Sequence, residues 1–582
     1  MKMHVIPVAA FATLLAHVPV VAAPYASAVT VSGDTVTFIL NESADSVKVV
    51  FNGGASTLVI GASPEPAGLK TFSKATFSSF RIEVEKNAGP GWKSGVLQQI
   101  SQDTNDLVKF ANGRGVAVNR FPNTGPLFGR IYTTVATKAV AAPVTVPPTA
   151  TRETDEGIYA LNADFSATAL GSGALRGGLT FDTTATGAEG PYRLSVGAGG
   201  DLFITDWSDT NGSVYKTDGN VAGGKNVLGG PIGLIAPATN NFPLGTTRIH
   251  GSISAVVTEG SEAANNLKLW VIDEDLQANP EATGQTMRNS IWLWDMAGEP
   301  LPMVNPPVDF TSASTMGTTG IGFASQTSDL ARSPDGTFYK LQRRSAGAES
   351  GIFAVGAAGE RLPSHTEITA IGSLPAFRAY SGDVNVVDPF LEAGACDVSE
   401  DNWLAVLRRS DNAIHFVKVS MGLIDFSSHV LLYTTPTTTI ARDIAFDIAG
   451  NIYTISSGQA VLRVYAPGGH TRATTTSTGT FGIIELTPTP AAPPLALLPV
   501  INAVTRTGDD LTIAFTSRLG LASTIVLQRT TSLDLGPWEN LVNAAAPAPA
   551  IFTITGTPPN FTFRAVGAFT ANPPYFYRVK RN

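Results

Sequence analysis

Short apolar runs punctuated by Gly, Asn, Asp and Pro dominate the chain, and the alternation inside them has the two-residue period of half-buried strands. One phrase recurs six times: an apolar strand, a polar turn, and two further strands each carrying an aromatic or large apolar residue. The second strands read Arg130-Ile131-Tyr132, Leu202-Phe203-Ile204, Leu269-Trp270-Val271, Thr337-Phe338-Tyr339, Asn402-Trp403-Leu404 and Asn451-Ile452-Tyr453. The third strands read Gly157-Ile158-Tyr159, Ser213-Val214-Tyr215, Ser290-Ile291-Trp292, Gly351-Ile352-Phe353, Ile414-His415-Phe416 and Leu462-Arg463-Val464. The innermost strands begin near Val116, Leu194, Ala255, Leu330, Cys396 and Ile444. A radial repeat of this kind predicts an all-β fold, a six-bladed β-propeller over 105–486.

The flanks carry strand patterns of their own. Thr35–Leu40, Ser46–Phe51 and Phe80–Val84 alternate cleanly, and Gly33-Asp34 and Asn52-Gly53-Gly54 sit where hairpin turns belong, so 25–100 is expected to form an immunoglobulin-like β-sandwich. Pro143 to Thr151 looks like a linker. However, two strands of the first blade precede it and the third follows, so it is expected to be an insertion within that blade. Thr487 to Pro494 is the better linker, an extended spacer over 487–500, and 501–582 reads as a C-terminal β-sandwich. Residues 1–22 read as a secretory signal: Lys2, then an apolar stretch from Val5 to Val21, then Ala22 and Ala23. Export to the periplasm, the cell surface or the medium follows from that reading. No segment is apolar and long enough for a lasting membrane span.

Composition adds three points. Of 582 residues only 15% are charged, with 57 Gly and 38 Pro, which suits a turn-rich all-β chain. The net charge of −8 gives no phosphate-binding footprint, so nucleic acid is not an expected partner. A single cysteine, Cys396, cannot form an internal disulfide and is read as a packed thiol.

The blades resemble NHL-like and related six-bladed propellers. Phe515-Thr516-Ser517, Leu527 to Leu533, Trp538-Glu539-Asn540-Leu541 and Tyr575 to Val579 resemble a fibronectin-like C-terminal module of exported proteins of the Verrucomicrobia type. These resemblances imply a fold and export. They imply no activity, because propellers host unrelated chemistries.

No Gly-x-Ser-x-Gly elbow, His-Glu-x-x-His motif or phosphate-cradling loop is present. Geometry supplies the candidates. Residues just before the innermost strands converge on one channel mouth, and here they are Arg114, Arg193, His250, Asp329, Arg442 and Asp443. They suit either a polar or anionic ligand or hydrogen-bonded ties between blades. Oxygen-bearing side chains at Asp206, Asp209 and Asn211 suit Ca²⁺, although their order does not match an EF-hand. Further loop charges at Asp273, Glu274 and Asp275, and at Arg343-Arg344 and Arg408-Arg409, suit steering of a protein partner. The expectation is an exported, non-enzymatic binding or scaffold protein recognising a protein, glycan or surface component. The alternative is a propeller hydrolase or lyase acting on a lactone or sugar. It would use His250 as base, Asp443 or Asp329 to orient it, and Arg114 or Arg193 to hold an oxyanion.

Overall fold

The computed structural model describes residues 24–86, 97–140, 152–179, 181, 190–207, 213–227, 253–273, 291–297, 308–309, 327–342, 351–357, 393–408, 413–433, 441–456, 459–467, 470–485, 500–507, 510–516, 525–530, 539–541, 551–557, 560–566 and 576–581. The signal-like stretch 1–22 lies outside them.

Almost every described element is a strand, and the sheets have a propeller-type arrangement. Each repeated phrase forms one antiparallel sheet. The first strands are Gly113–Val118, Pro191–Val196, Ile253–Glu259, Thr327–Arg332, Ala393–Val398 and Ala441–Phe446. The anticipated second and third strands follow in ladder order, Gly157–Leu161 pairing with Ile131–Val135 across the proline-rich excursion. These sheets are numbered one to six below. Their first strands touch in cyclic order, one to six and back to one, and so enclose an axis. Between sheets, alternate side chains fill apolar wedges. Tyr132, Ile158, Leu194 and Ile204 share one such cluster, and Leu404, Val406, Tyr339 and Cys396 another.

The turns between first and second strands explain themselves. Backbone bonds Gly197 N–H to Asp201 O (2.8 Å), Ser333 to Thr337 (2.8 Å), Ser399 to Trp403 (2.9 Å) and Asp447 to Asn451 (3.0 Å) close them in the same register. The fourth residue of each has positive φ: Gly200 (86°), Gly336 (88°), Asn402 (60°) and Gly450 (85°). Glycine reaches that region without a Cβ clash, and asparagine tolerates it. In two of the turns an aspartate fastens the loop: Asp335 Oδ1 accepts from Thr337 N–H (3.0 Å), and Asp447 Oδ1 from Ala449 and Asn451 N–H (2.9 and 2.8 Å).

The N-terminal and ring segments exchange strands, which shifts the anticipated boundaries at 100 and 486. Leu97–Gln99, expected in the N-terminal sandwich, is the outer strand of sheet six, paired with Val461–Pro467. Thr471–Thr476 and Phe481–Glu485, expected in the ring, join the N-terminal sheet instead, Thr471–Thr476 pairing with Phe80–Lys86. That sheet runs Phe481–Glu485, Thr471–Thr476, Phe80–Lys86, Ser46–Phe51, Ser56–Val59 and faces a second of Ala26–Ser32, Thr35–Leu40 and Gly68–Ser73. Val36, Phe38, Val47, Val49, Phe72 and Ile82 fill the space between. Strand pairing is indifferent to separation along the chain, so no local pattern announces such exchanges.

The C-terminal residues form two further sheets. One contains Val500–Thr507, Asp510–Thr516, Asn560–Val566 and Ile551–Thr557; the other contains Glu539–Leu541, Ile525–Thr530 and Phe576–Arg581.

Candidate functional site: the channel of the ring

All six first strands carry a register shift near their start, for example between Thr327 and Asp329 and between Ala441 and Asp443. Such bulges re-aim the next side chain. The shifts mark the equivalent positions: Gly115, Arg193, Ala255, Asp329, Ala395 and Asp443. Three small residues alternate with three charged ones, and the small ones leave room at the axis. At Gly115 a Cβ would lie 2.4 Å from the Tyr192 carbonyl oxygen, so sheets one and two approach closely only because this residue is glycine.

Arg193 crosses the axis. From sheet two its Nη1 donates to Asp329 Oδ2 of sheet four (2.8 Å) and to Asp443 Oδ1 of sheet six. Its Nη2 donates to the carbonyls of Gly394 in sheet five (2.7 Å) and Arg442 in sheet six (3.2 Å). The carboxylates are engaged a second time. Asp329 accepts from Leu330 and Cys396 N–H (2.9 and 2.8 Å), and Asp443 from Ile444 and Val116 N–H (2.9 and 2.8 Å). A first strand in such a ring is an edge strand whose free N–H and C=O groups face the channel. The aspartates cap those N–H groups, and Arg193 caps the carbonyls.

The six residues expected at this mouth are therefore only partly united. Arg193, Asp329 and Asp443 meet. Arg114 does not: the bulge puts Gly115, not Arg114, at the equivalent position. Arg442 contributes its carbonyl. His250 lies outside the described residues. The side chains of the three that meet are only 5–7% exposed.

Two carboxylates share one guanidinium in this buried site. Burial pushes Asp329 up to about 7, opposed by Arg193 and reinforced by Asp443; Asp443 is raised by burial as well. An acid whose folded-state pKa exceeds its unfolded value of about 3.9 stabilises the fold fully below that value, and the contribution is lost as pH rises through the folded pKa. Urea midpoints are thus expected to fall as pH rises from about 4 to about 7 and to level off above that. Glu42, pushed up to about 7 by burial, shifts stability in the same direction. Asp329→Asn, which imitates the protonated acid, should flatten the hub's share of the slope. An unchanged slope in that variant would remove Asp329 as a source.

At the turn end a second set forms. Asp397 accepts from Val398 and Phe446 N–H (2.8 and 2.7 Å) and pairs with Arg120. Arg120 donates in turn to the carbonyls of Phe446 (2.7 Å) and Val398 (3.0 Å). Sequence reading missed both. Asp397 sits two residues beyond the frame searched, and Arg120 lies past its strand. Between the hub and this rim runs a cavity of about 200 Å³ that also reaches Arg332 and Glu400. Glu400 is exposed, and the Arg120 and Asp397 side chains are 22% and 17% exposed. Among the described residues, the channel opens at the turn end and Arg193 spans the other.

Cys396 is buried in the wall, its thiol near the Tyr339 carbonyl (3.6 Å) and pushed well up by burial, as befits a packing residue. His415 is buried on its strand. Asp206 is buried at a strand end, while Asp209 and Asn211 lie outside the described residues. Glu274, Asp275, Arg343, Arg344 and Arg409 also lie outside them. Among the described residues no group of three or more His, Cys, Asp or Glu side chains could hold a metal, and no helix is long and apolar enough to cross a membrane.

No family model matches the chain, and no curated protein does. Solved structures give faint likenesses. The PQQ-bound aldose sugar dehydrogenase of Streptomyces coelicolor is 13% identical, with 56% of this chain and 87% of that one covered and a TM-score of 0.31. A calcium structure of the Trichoderma reesei carbohydrate-active enzyme family AA12 is 12% identical, with 64% and 95% covered and a TM-score of 0.33. The extracellular domain of a proposed one-component system from B. thetaiotaomicron is 9% identical, with 95% and 68% covered and a TM-score of 0.30. Likeness of this degree carries no activity to the present chain.

Proposed function

We propose that the chain is an exported, non-enzymatic binding or scaffold protein. In this reading a six-bladed β-propeller, flanked by an immunoglobulin-like and a fibronectin-like sandwich, recognises a protein, glycan or surface component with one of its faces. The observation that supports it is the engagement of the hub. Each carboxylate oxygen of Asp329 and Asp443 accepts a backbone N–H from a first strand, and Arg193 binds both acids and two carbonyls. Groups so committed tie blades together; a general base or an oxyanion donor needs a free lone pair or N–H at the substrate. The lactone- or sugar-directed hydrolase or lyase has less support, since three of its named residues, Arg193, Asp329 and Asp443, serve as ties. Ca²⁺ in the loop after Asp206 remains a separate proposal, read by a melting shift in millimolar Ca²⁺.

The test uses the full chain on an immobilised-glycan array and against cell-envelope polymers, beside an assay of aldonolactone opening. Saturable binding without turnover is expected. Turnover that disappears in His250→Ala would replace this reading with the enzymatic one.

A further inference from the structure

The wall of the channel is asymmetric. In sheets four, five, six and one, the axis-facing N–H groups of Leu330, Cys396, Ile444 and Val116 are capped by Asp329 and Asp443, and those of Val398 and Phe446 by Asp397. Sheets two and three carry no aspartate at these positions; they have Ser195, Ala255 and Val257 and, among the described residues, lack a cap at both levels, whereas sheets one and four lack one only at the outer level, at Val118 and Arg332. The closing bond from Gly197 N–H to Asp201 O makes Ser195–Phe203 the hydrogen-bonded pair of its ladder. Leu194 and Val196 therefore turn their backbone groups toward the axis, and Val256 is the residue equivalent to Leu194. Among the described residues, no side chain caps the N–H of Leu194, Val196 or Val256. The Val196 carbonyl meets only the Thr258 hydroxyl (3.2 Å), which also touches Ser195 Oγ (3.1 Å).

Leu194, Val196, Val256, Ser195 and Thr258 all line the cavity. Buried backbone donors require a partner, so this sector selects an occupant that offers acceptors. The hydroxyls of Ser195 and Thr258 and the strand-edge carbonyls add both donor and acceptor capacity. An apolar occupant would leave these groups unmatched. An anion is disfavoured as well: Asp329, Asp397, Glu400 and Asp443 outnumber Arg120, Arg193 and Arg332 around the same space.

We propose that the uncapped edge of sheets two and three forms a binding site, entered from the turn end of the channel, for a small neutral polyhydroxylated molecule such as a monosaccharide or cyclitol. Hydroxyl groups donate and accept at once, which is what an open strand edge requires. This site is inside the ring and does not rest on recognition at a propeller face.

Sheet five shows how to close it. Asp397 stands at the position of Ser195 and caps the N–H of its own and the following sheet. Ser195→Asp should do the same for Val196 and the adjacent strand, filling the site with the chain's own carboxylate while the ring stays folded. The experiment is ligand-observed NMR and calorimetry with D-glucose, D-galactose, myo-inositol and gluconate, on the wild-type chain and on Ser195→Asp. The expected result is binding of at least one neutral compound by wild type, weakened at least tenfold in the variant, with the melting temperature retained. A variant that melts early is replaced by Ser195→Val, which removes the hydroxyl without adding charge and should also weaken binding. Three results overturn the site: no neutral compound binds wild type, which leaves water alone in the channel; gluconate alone binds; or both variants bind as wild type does. The last result, with glycan-array binding intact, would leave the face reading standing.

Discussion

Arg193→Leu is expected to be the most damaging single substitution in the ring, costing about 3–5 kcal/mol. The arginine is the counter-charge of two carboxylates buried at 5–7% side-chain exposure, and it caps the carbonyls of Gly394 and Arg442. Its removal leaves both acids without their cation in a site water barely reaches. They would have to take up protons or pull the strands apart. The melting temperature should drop on the order of 10 °C. The mechanism makes a second, sharper demand. If uncompensated charge is the cause, the triple variant Arg193→Leu, Asp329→Asn, Asp443→Asn should recover part of the loss, because a buried ion group replaced as a whole often costs little. Each asparagine keeps one of the two strand N–H bonds through its carbonyl oxygen and loses the other, which is why the recovery is partial. A single variant that melts with wild type would show that the hub bears no load. A triple variant less stable than the single would show that the acids matter chiefly as backbone caps.

The same hub shows how far a sequence can be read. The second and third strands of every sheet were legible because aromatic and β-branched residues alternate at a fixed distance from glycine- or asparagine-bearing turns. Asp329, Asp443 and Arg193 were legible because they stand just before apolar runs that line up across the repeats. The frame failed by one residue where the bulge adds one, which is why Arg114 was chosen in place of Gly115, and why Ala255 was aligned with Leu194 in place of Val256. A period of two cannot detect a single inserted residue whose neighbours are small. The role of Asp397 was not legible, since it depends on which strand edges face the axis. That follows from ladder parity, and parity is visible only once the register is known.

A fragment beginning at Leu97 should yield no soluble monomer. It would keep all strands of sheet six, including Leu97–Gln99, so the ring itself loses nothing. What it loses is the partner of Thr471–Thr476, which pairs along its length with Phe80–Lys86 and whose Thr475 hydroxyl donates to the Ala26 carbonyl (2.9 Å). It also loses the cover over Phe128, Ala449 and Phe481, which pack around the buried Tyr25. An unpaired, flat strand edge beside exposed aromatic rings is a template for association between chains. Cutting the intact protein tests the same interlock from the other side. With a protease site placed between Lys86 and Leu97, cleavage after folding should leave two pieces that co-elute, because the ladder between Phe80–Lys86 and Thr471–Thr476, together with the Arg472 ion pair (2.9 Å) and the His470 Nε2 contact (2.9 Å) to Glu85, spans the cut. Pieces that separate on a column without denaturant, or a fragment from Leu97 that stays monomeric and melts like the full chain, would mean that the exchanged strands merely rest on one another. If the pieces hold together, the sandwich is not an appendage on the ring. The ring's own C-terminal continuation supplies strands that the N-terminal sheet incorporates, and the turn end of the channel is held beside that sheet by the same contacts.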